Sequence, residues 1–197
     1  MKKSIILNTK PLEIDLLVIK KDRNVQLSNE IGKQFRRYNI MEYKSPGDEL
    51  NIDTFYKCGA YASLYKSYGE TVDGRTAEDI TVSIVRQNKP AGLFGYFKEH
   101  RIRVMNPYRG IYYVMDAVLF PTQIVVTKEL DKKEHAWLTA LSEGLEKQDM
   151  KELLEIVDAL TQKLDRELAD AVLEVSIRAN RKIVEELKVM KVCARHC

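Results

Sequence analysis

A chain of 197 residues is long enough for one domain with its own core and a helical appendage. With 45% hydrophobic and 31% charged residues it has the make-up of an ordinary soluble globular protein, and a net charge of +3 neither demands nor excludes a polyanionic partner. No apolar run approaches the roughly 20 residues of a membrane span, so no membrane partner is expected. The three cysteines, Cys58, Cys193 and Cys197, make no disulfide framework, and the expected location is a reducing cytoplasm. The opening Met-Lys-Lys-Ser-Ile-Ile-Leu starts as a secretory signal does. Its apolar part is too short, and Thr9-Lys10-Pro11 ends it, so export is not expected.

Residues 4–7 form a short apolar run that suits an edge strand. Residues 12–20 are the first strong strand, with Leu12, Ile14, Leu16 and Val18 on one face and Glu13, Asp15, Leu17 and Ile19 on the other. After a charged turn at 20–24, residues 28–37 predict a short helix capped by Ser28 or Asn29. Ile31 and Phe35 would point inward, and Lys33, Arg36 and Arg37 outward. Residues 38–44 are a second strong strand, closed by the turn Ser45-Pro-Gly-Asp48. The stripe Phe55, Cys58, Ala62, Tyr65 predicts a helix over 53–67. A polar loop follows to Asp79, then a central strand over 80–86.

Pro90 to Gly95 interrupts the pattern. Residues 101–105 and 110–115 read as paired strands with a turn at 106–110, and 123–127 as a further strand entered through Pro121. From Asp131 the composition changes, and after Gly144 neither Gly nor Pro occurs again. Leu153, Val157, Leu160, Leu164, Leu168, Ala171 and Val175 predict an amphipathic helix or helical hairpin with one continuous apolar seam. The expected fold is therefore α/β, of the α+β kind: a mixed central sheet flanked by helices over residues 1–130, with a helical C-terminal extension over 131–197.

Two strand positions carry chemistry. Glu42 and Lys44 lie two apart, so they share a strand face, and Asp15 is a carboxylate in the preceding strand. Hydrolysis of a phosphodiester needs an activated water and stabilisation of charge on the phosphoryl oxygens, which a magnesium ion held by a few carboxylates supplies. Asp15, Glu42 and the backbone carbonyl of Tyr43 are the candidate ligands, and Lys44 the cation beside them. On spacing alone, the same residues read first as a solvated face with a cross-strand ion pair. His100 and His135 have no acid or nucleophile near them in sequence, so no catalytic triad is indicated. Cys193, His196 and Cys197 at the chain end read as a tail rather than a zinc site.

Three segments carry a resemblance: Pro11-Leu-Glu-Ile-Asp-Leu-Leu-Val-Ile-Lys-Lys21, Asn39-Ile-Met-Glu-Tyr-Lys-Ser-Pro46 and Asp53-Thr-Phe-Tyr-Lys-Cys-Gly-Ala-Tyr-Ala-Ser-Leu-Tyr-Lys66. Together they resemble the PD-(D/E)XK nuclease superfamily, most nearly its bacterial Rpn-type, transposase-like members. The resemblance extends through Gly110-Ile-Tyr-Tyr-Val114 and Gln123 to Leu130. It implies a restriction-endonuclease-like core, a Mg²⁺ (or Mn²⁺) cofactor and DNA as substrate and partner. Asp15, Glu42 and Lys44 occupy the superfamily's catalytic positions. Lys57 and Tyr61 match a polar residue and tyrosine four apart on the next helix. Lys33, Arg36 and Arg37 make a basic cluster suited to phosphate contacts near the site.

The sequence departs from the pattern in one respect: fourteen residues precede Asp15, too few for the superfamily's first acidic helix and a strand together. Glu13 is a partial substitute on the same strand face. The function expected is a metal-dependent DNA endonuclease, linked through the resemblance to recombination or mobile elements. The alternatives are a catalytically inactive DNA-binding module on the same fold and a homo-oligomer assembled through the C-terminal helices.

Overall fold

The apolar runs of the first two thirds of the chain assemble into one sheet. The computed structural model describes residues 16–22, 24–45 and 47–193. Six strands, β1 (Leu16–Lys20), β2 (Tyr38–Lys44), β3 (Ile80–Arg86), β4 (Val104–Tyr108), β5 (Ile111–Val114) and β6 (Thr122–Val126), lie in the order β1-β2-β3-β6-β5-β4. β2, β3 and β6 are parallel, and the remaining neighbours are antiparallel. The expected mixed sheet flanked by helices is present. The expected edge strand at 4–7, together with Glu13 and Asp15, lies outside the described residues.

Both faces of the parallel centre are covered, which is why β3 and β6 are buried almost throughout instead of alternating. On the first face Tyr38, Ile40, Ile80, Val82, Ile84, Ile124 and Val126 pack beneath α1 (Ile52–Ser67) and α2 (Ala91–Glu99). α1 begins at Asn51, whose side chain accepts from the Thr54 amide at 3.0 Å, and the predicted stripe of Phe55, Cys58 and Ala62 is buried. α2 replaces the break expected over 90–95. Pro90 is tolerated at the N-cap because it lies before the first hydrogen-bonded turn. Leu93 and Phe97, four apart and each 1% exposed, anchor it, so packing outweighs the low helix propensity of Gly92 and Gly95.

The second face carries Met41, Val85, Ile111 and Val125 against Ile31, Phe35, Leu130 and Leu138. The helix expected over 28–37 shrinks to one 3-10 turn, Ile31–Gln34. Its backbone groups are met by a buried polar row on the sheet instead of by helical bonds. Asn39 accepts from the Arg36 amide at 2.7 Å and donates to the Arg36 and Ile19 carbonyls at 2.8 and 3.0 Å; Gln123 donates to the Ile31 carbonyl at 3.0 Å. Asn29, an expected cap, accepts from the Ile31 amide at 2.9 Å.

The expected C-terminal seam, of which the Leu164, Leu168 and Ala171 side chains lie outside what is described, is divided between two helices. α3 (Ala136–Thr139), α4 (Lys147–Asp158), α5 (Lys163–Ala179) and α6 (Arg181–Cys193) are separate helices with their own cluster of Ala140, Leu145, Met150, Leu153 and Leu187. Leu153 is buried, yet Val175 is 47% exposed. Asn180 sets the break between α5 and α6. Its side chain accepts from the Leu145 amide and donates to the Ser142 carbonyl, each at 3.0 Å, which fastens the helices to the turn that precedes α4. That turn meets the ends of the central strands through Gln87 to the Glu143 carbonyl (3.3 Å) and Thr127 to Ser142 (2.6 Å).

The β4–β5 turn is tighter than expected: β4 continues to Tyr108, leaving Arg109 and Gly110 to reverse the chain. Gly110 has φ +74°, and a Cβ there would stand 2.8 Å from both the Val126 carbonyl oxygen and the Leu130 nitrogen. Gly110→Ala should therefore cost about 2–3 kcal/mol, read as a lowered midpoint in urea unfolding at unchanged slope.

Candidate functional site

β2 delivers Glu42 and Lys44 to the first face, in the row that begins with Tyr38 and Ile40. This row runs under α1, so Glu42 is only 7% exposed. A carboxylate in such a place needs partners, and it has two. The Cys58 thiol of α1 donates to Oε2 at 2.7 Å, and the Lys44 ammonium engages Oε1. The predicted pair of acid and amine on one strand face is thus a direct contact, with a thiol as its third member.

The fields follow from this packing. Burial pushes the Cys58 thiol up, and the hydrogen bond and charge of Glu42 push it further. Burial alone would lower Lys44; the hydrogen bond and charge of Glu42 overturn that, and its ammonium is held above the ordinary lysine range. Lys57, next to Cys58 on α1, is raised chiefly by the Tyr61 side chain one turn on, with Glu42 adding at longer range. Its Nζ lies 5.5 Å from the Tyr61 ring centroid. At the strand end Asp48 turns back to Ser45, accepting from its hydroxyl at 2.8 Å and its amide at 3.2 Å. Those bonds hold its carboxyl below the usual range, and Lys44 and Arg86 add to the effect.

The structure separates other residues that the sequence groups together. Tyr43 lies in the ladder opposite Val85, with its side chain on the second face and its hydroxyl 3.4 Å from the Leu141 carbonyl. Lys33 covers the Tyr108 ring at 4.8 Å, and Arg37 sits over Tyr38 and 4.0 Å from Asp79. Arg36 and Arg37 flank the start of β2, about 20 Å along a strand from Lys44, so the basic cluster is not beside Glu42 as the sequence suggested. His135 does have an acid partner, distant in sequence: its Nε2 is 3.2 Å from Glu30, and its Nδ1 is 3.4 Å from the Asn29 amide. Both ring nitrogens are thereby engaged, as in a structural histidine.

Sequence reasoning missed two residues. Cys58 read as one more member of an apolar stripe, and only the approach of α1 to β2 reveals its acceptor. Arg86, a cation ending an otherwise uncharged strand, pairs in register with Lys44; its position at the end of a buried run was the available signal.

Among the described residues no group of three or more His, Cys, Asp or Glu side chains is placed to hold a metal. The donors at hand are one carboxylate, with both oxygens engaged, and a strand carbonyl. They fit a magnesium ion only if a second carboxylate joins them and Lys44 or Cys58 yields its place. Neither the cavity of about 450 Å³ between α3 and α4 nor the one of about 300 Å³ beneath α1 is lined by Glu42 or Lys44. The cluster lies at an edge.

Two outcomes follow. In the native protein Cys58 should resist alkylation at pH 8 and label fully in urea, as followed by peptide mass spectrometry. Lys44→Met should lower stability by about 1–3 kcal/mol, because it leaves a buried carboxylate short of a partner. Most of that loss should return when Glu42→Gln is added, as a double-mutant cycle would measure. Because the Lys44 pKa is raised on folding, this contribution is present at neutral pH and is lost only as pH climbs through and above the ordinary lysine range.

Comparison of the chain with protein-family models, with curated proteins and with solved structures finds no match.

Proposed function

We propose that the chain is a metal-dependent phosphodiesterase acting on DNA, built on a PD-(D/E)XK-like core. The observation that carries this reading is the Glu42–Lys44 contact at the C-terminal end of β2. A strand antiparallel to β2 precedes it, and a helix and a parallel strand follow. The exit edge of parallel strands is where open α/β sheets commonly place their ligands. A bound Mg²⁺ would supply a polarised phosphoryl oxygen and an activated water. Glu42 would be one ligand and Asp15 another, with the Tyr43 carbonyl as a further oxygen. Lys44 would place its ammonium against the charge that develops on the phosphate. Lys57 and Tyr61, in contact on α1, would stand beside the substrate. Arg36 and Arg37 would meet DNA only at the opposite end of β2, and Lys33, over the Tyr108 ring, only on the other face.

The reading makes a demand on the backbone. Val18 packs on the first face with Ile40, whereas Leu17 is 57% exposed. Regular alternation assigns odd positions of that strand to the face away from Glu42. A two-carboxylate site therefore requires the chain to leave that alternation before Leu16.

A second reading is favoured by the closed state of the carboxylate: both oxygens of Glu42 already have protein donors. On that reading the chain is an inactive DNA-binding or oligomeric module that keeps the fold. The test is nicking of supercoiled plasmid in Mg²⁺ or Mn²⁺ by the wild type and by Asp15→Asn, Glu42→Gln and Lys44→Met, with thermal unfolding as a control for folding. The first reading expects cleavage by the wild type and a loss of roughly a hundredfold or more in each variant. Salt-sensitive DNA binding without cleavage would establish the second. Equal cleavage by all four proteins would place the activity elsewhere.

A further inference from the structure

We infer that Arg86, together with Lys44, forms a binding site for a phosphate-class oxyanion at the C-terminal edge of β2 and β3. The inference gives the proposed DNA-cleaving site its phosphate contact, but it stands on observations of its own.

Arg86 is the last residue of β3, opposite Lys44 of β2 and Val126 of β6. Its row on the sheet is Ile80, Val82 and Ile84, all in the first-face core, so its side chain leaves the sheet on the side of Glu42 and Lys44. Its Nε is buried and has no hydrogen-bond acceptor among the described residues. Leaving a guanidinium donor dry and unmatched is costly. Arg86 shares its field with the Asp48 carboxylate, one oxygen of which is held by the Ser45 hydroxyl and amide. Arg86 is thus a cation at a rim whose Nε–H the local acid does not meet.

The surrounding charge favours an anion. Lys44, Lys57 and Arg86 face Glu42 and Asp48, and the Glu42 charge is spent on Lys44 and Cys58. A guanidinium offers parallel donors at a spacing that matches two oxygens of a phosphate, so rotation of Arg86 toward the rim exchanges an orphan Nε–H for a bidentate contact. Lys44, 17% exposed, one strand away and paired with Glu42, adds an ammonium at the side of the site. The site is an edge between strands rather than a closed pocket, which suits a phosphate carried on an extended chain such as a nucleic acid.

The test is titration of the metal-free protein with inorganic phosphate and, separately, with a 5′-phosphorylated dinucleotide. It is followed through the Arg86 Nε–H signal in ¹⁵N-resolved NMR. Both probes should shift that signal saturably. Arg86→Met should weaken binding roughly tenfold or more, the loss expected of a charge-assisted contact. Arg86→Lys, which keeps the charge without the fork, should lose part of it. Thermal unfolding of each variant establishes that the comparison is between folded proteins. Wild-type affinity in folded Arg86→Met, an unmoved Arg86 signal at saturating phosphate, or no phosphate binding by the wild type would each overturn the assignment. Phosphate bound at Arg86 by a protein that does not cleave DNA would instead refute the nuclease reading and leave this one standing. Cleavage indifferent to Arg86→Met would do the reverse.

Discussion

Removal of the Glu42 carboxylate from water is the constraint around which this end of the sheet is arranged. β2 has a neighbour on each edge and packing on each face, so a charged side chain near its end must find protein partners or neutralise. Lys44 meets one oxygen and Cys58 the other. The cluster ties the strand to α1, and α1 in turn to β3, which fixes the direction in which Lys44, Lys57 and Arg86 leave the fold. Buried ion pairs are seldom retained for stability alone, since apolar residues of similar volume often serve as well or better. An acid, an amine and a thiol in contact at a strand end are therefore a reason to look for chemistry there.

The same contact also explains why the chemistry is not self-evident. A carboxylate with both oxygens engaged is a closed group. Opening it costs the hydrogen bond to the thiol or the attraction of the ammonium. A metal ion of charge two at close range outweighs either, and Lys44 released from Glu42 would be free to turn toward an anion. On the proposed function, the closed cluster and an open site would be two states of one set of residues.

On the other face the polar row of Asn39, Thr81, Ser83 and Gln123 acts by a related rule. Thr81 donates to Asn39 at 2.7 Å, and Gln123 donates to Ser83 at 2.8 Å. Most of these buried polar groups are matched by one another and by the backbone of the irregular 29–37 segment, the Gln123 Oε1 being left without a partner among the described residues. The C-terminal helices are joined to the sheet by similar means, through Gln87, Thr127 and Asn180, while their apolar cluster remains their own.

The sequence alone determined the strands at 38–44 and 80–86 and the helix that follows Asn51. In each, the local period of apolar residues and the flanking turn or cap chemistry agree, and tertiary packing had nothing to overrule. It likewise put Glu42 and Lys44 on one face, because strand alternation is a property of the backbone. Tertiary structure decided whatever depends on segments far apart meeting. It made a helix of 91–99 against its glycines, through Leu93 and Phe97. It withdrew most of the helix at 28–37, because Asn39 and Gln123 offered that backbone better partners. It also brought Cys58 to Glu42, Glu30 to His135 and Arg86 to Lys44. Those meetings carry no periodic signal, since they rest on which strand lies beside which and on where α1 comes down upon the sheet.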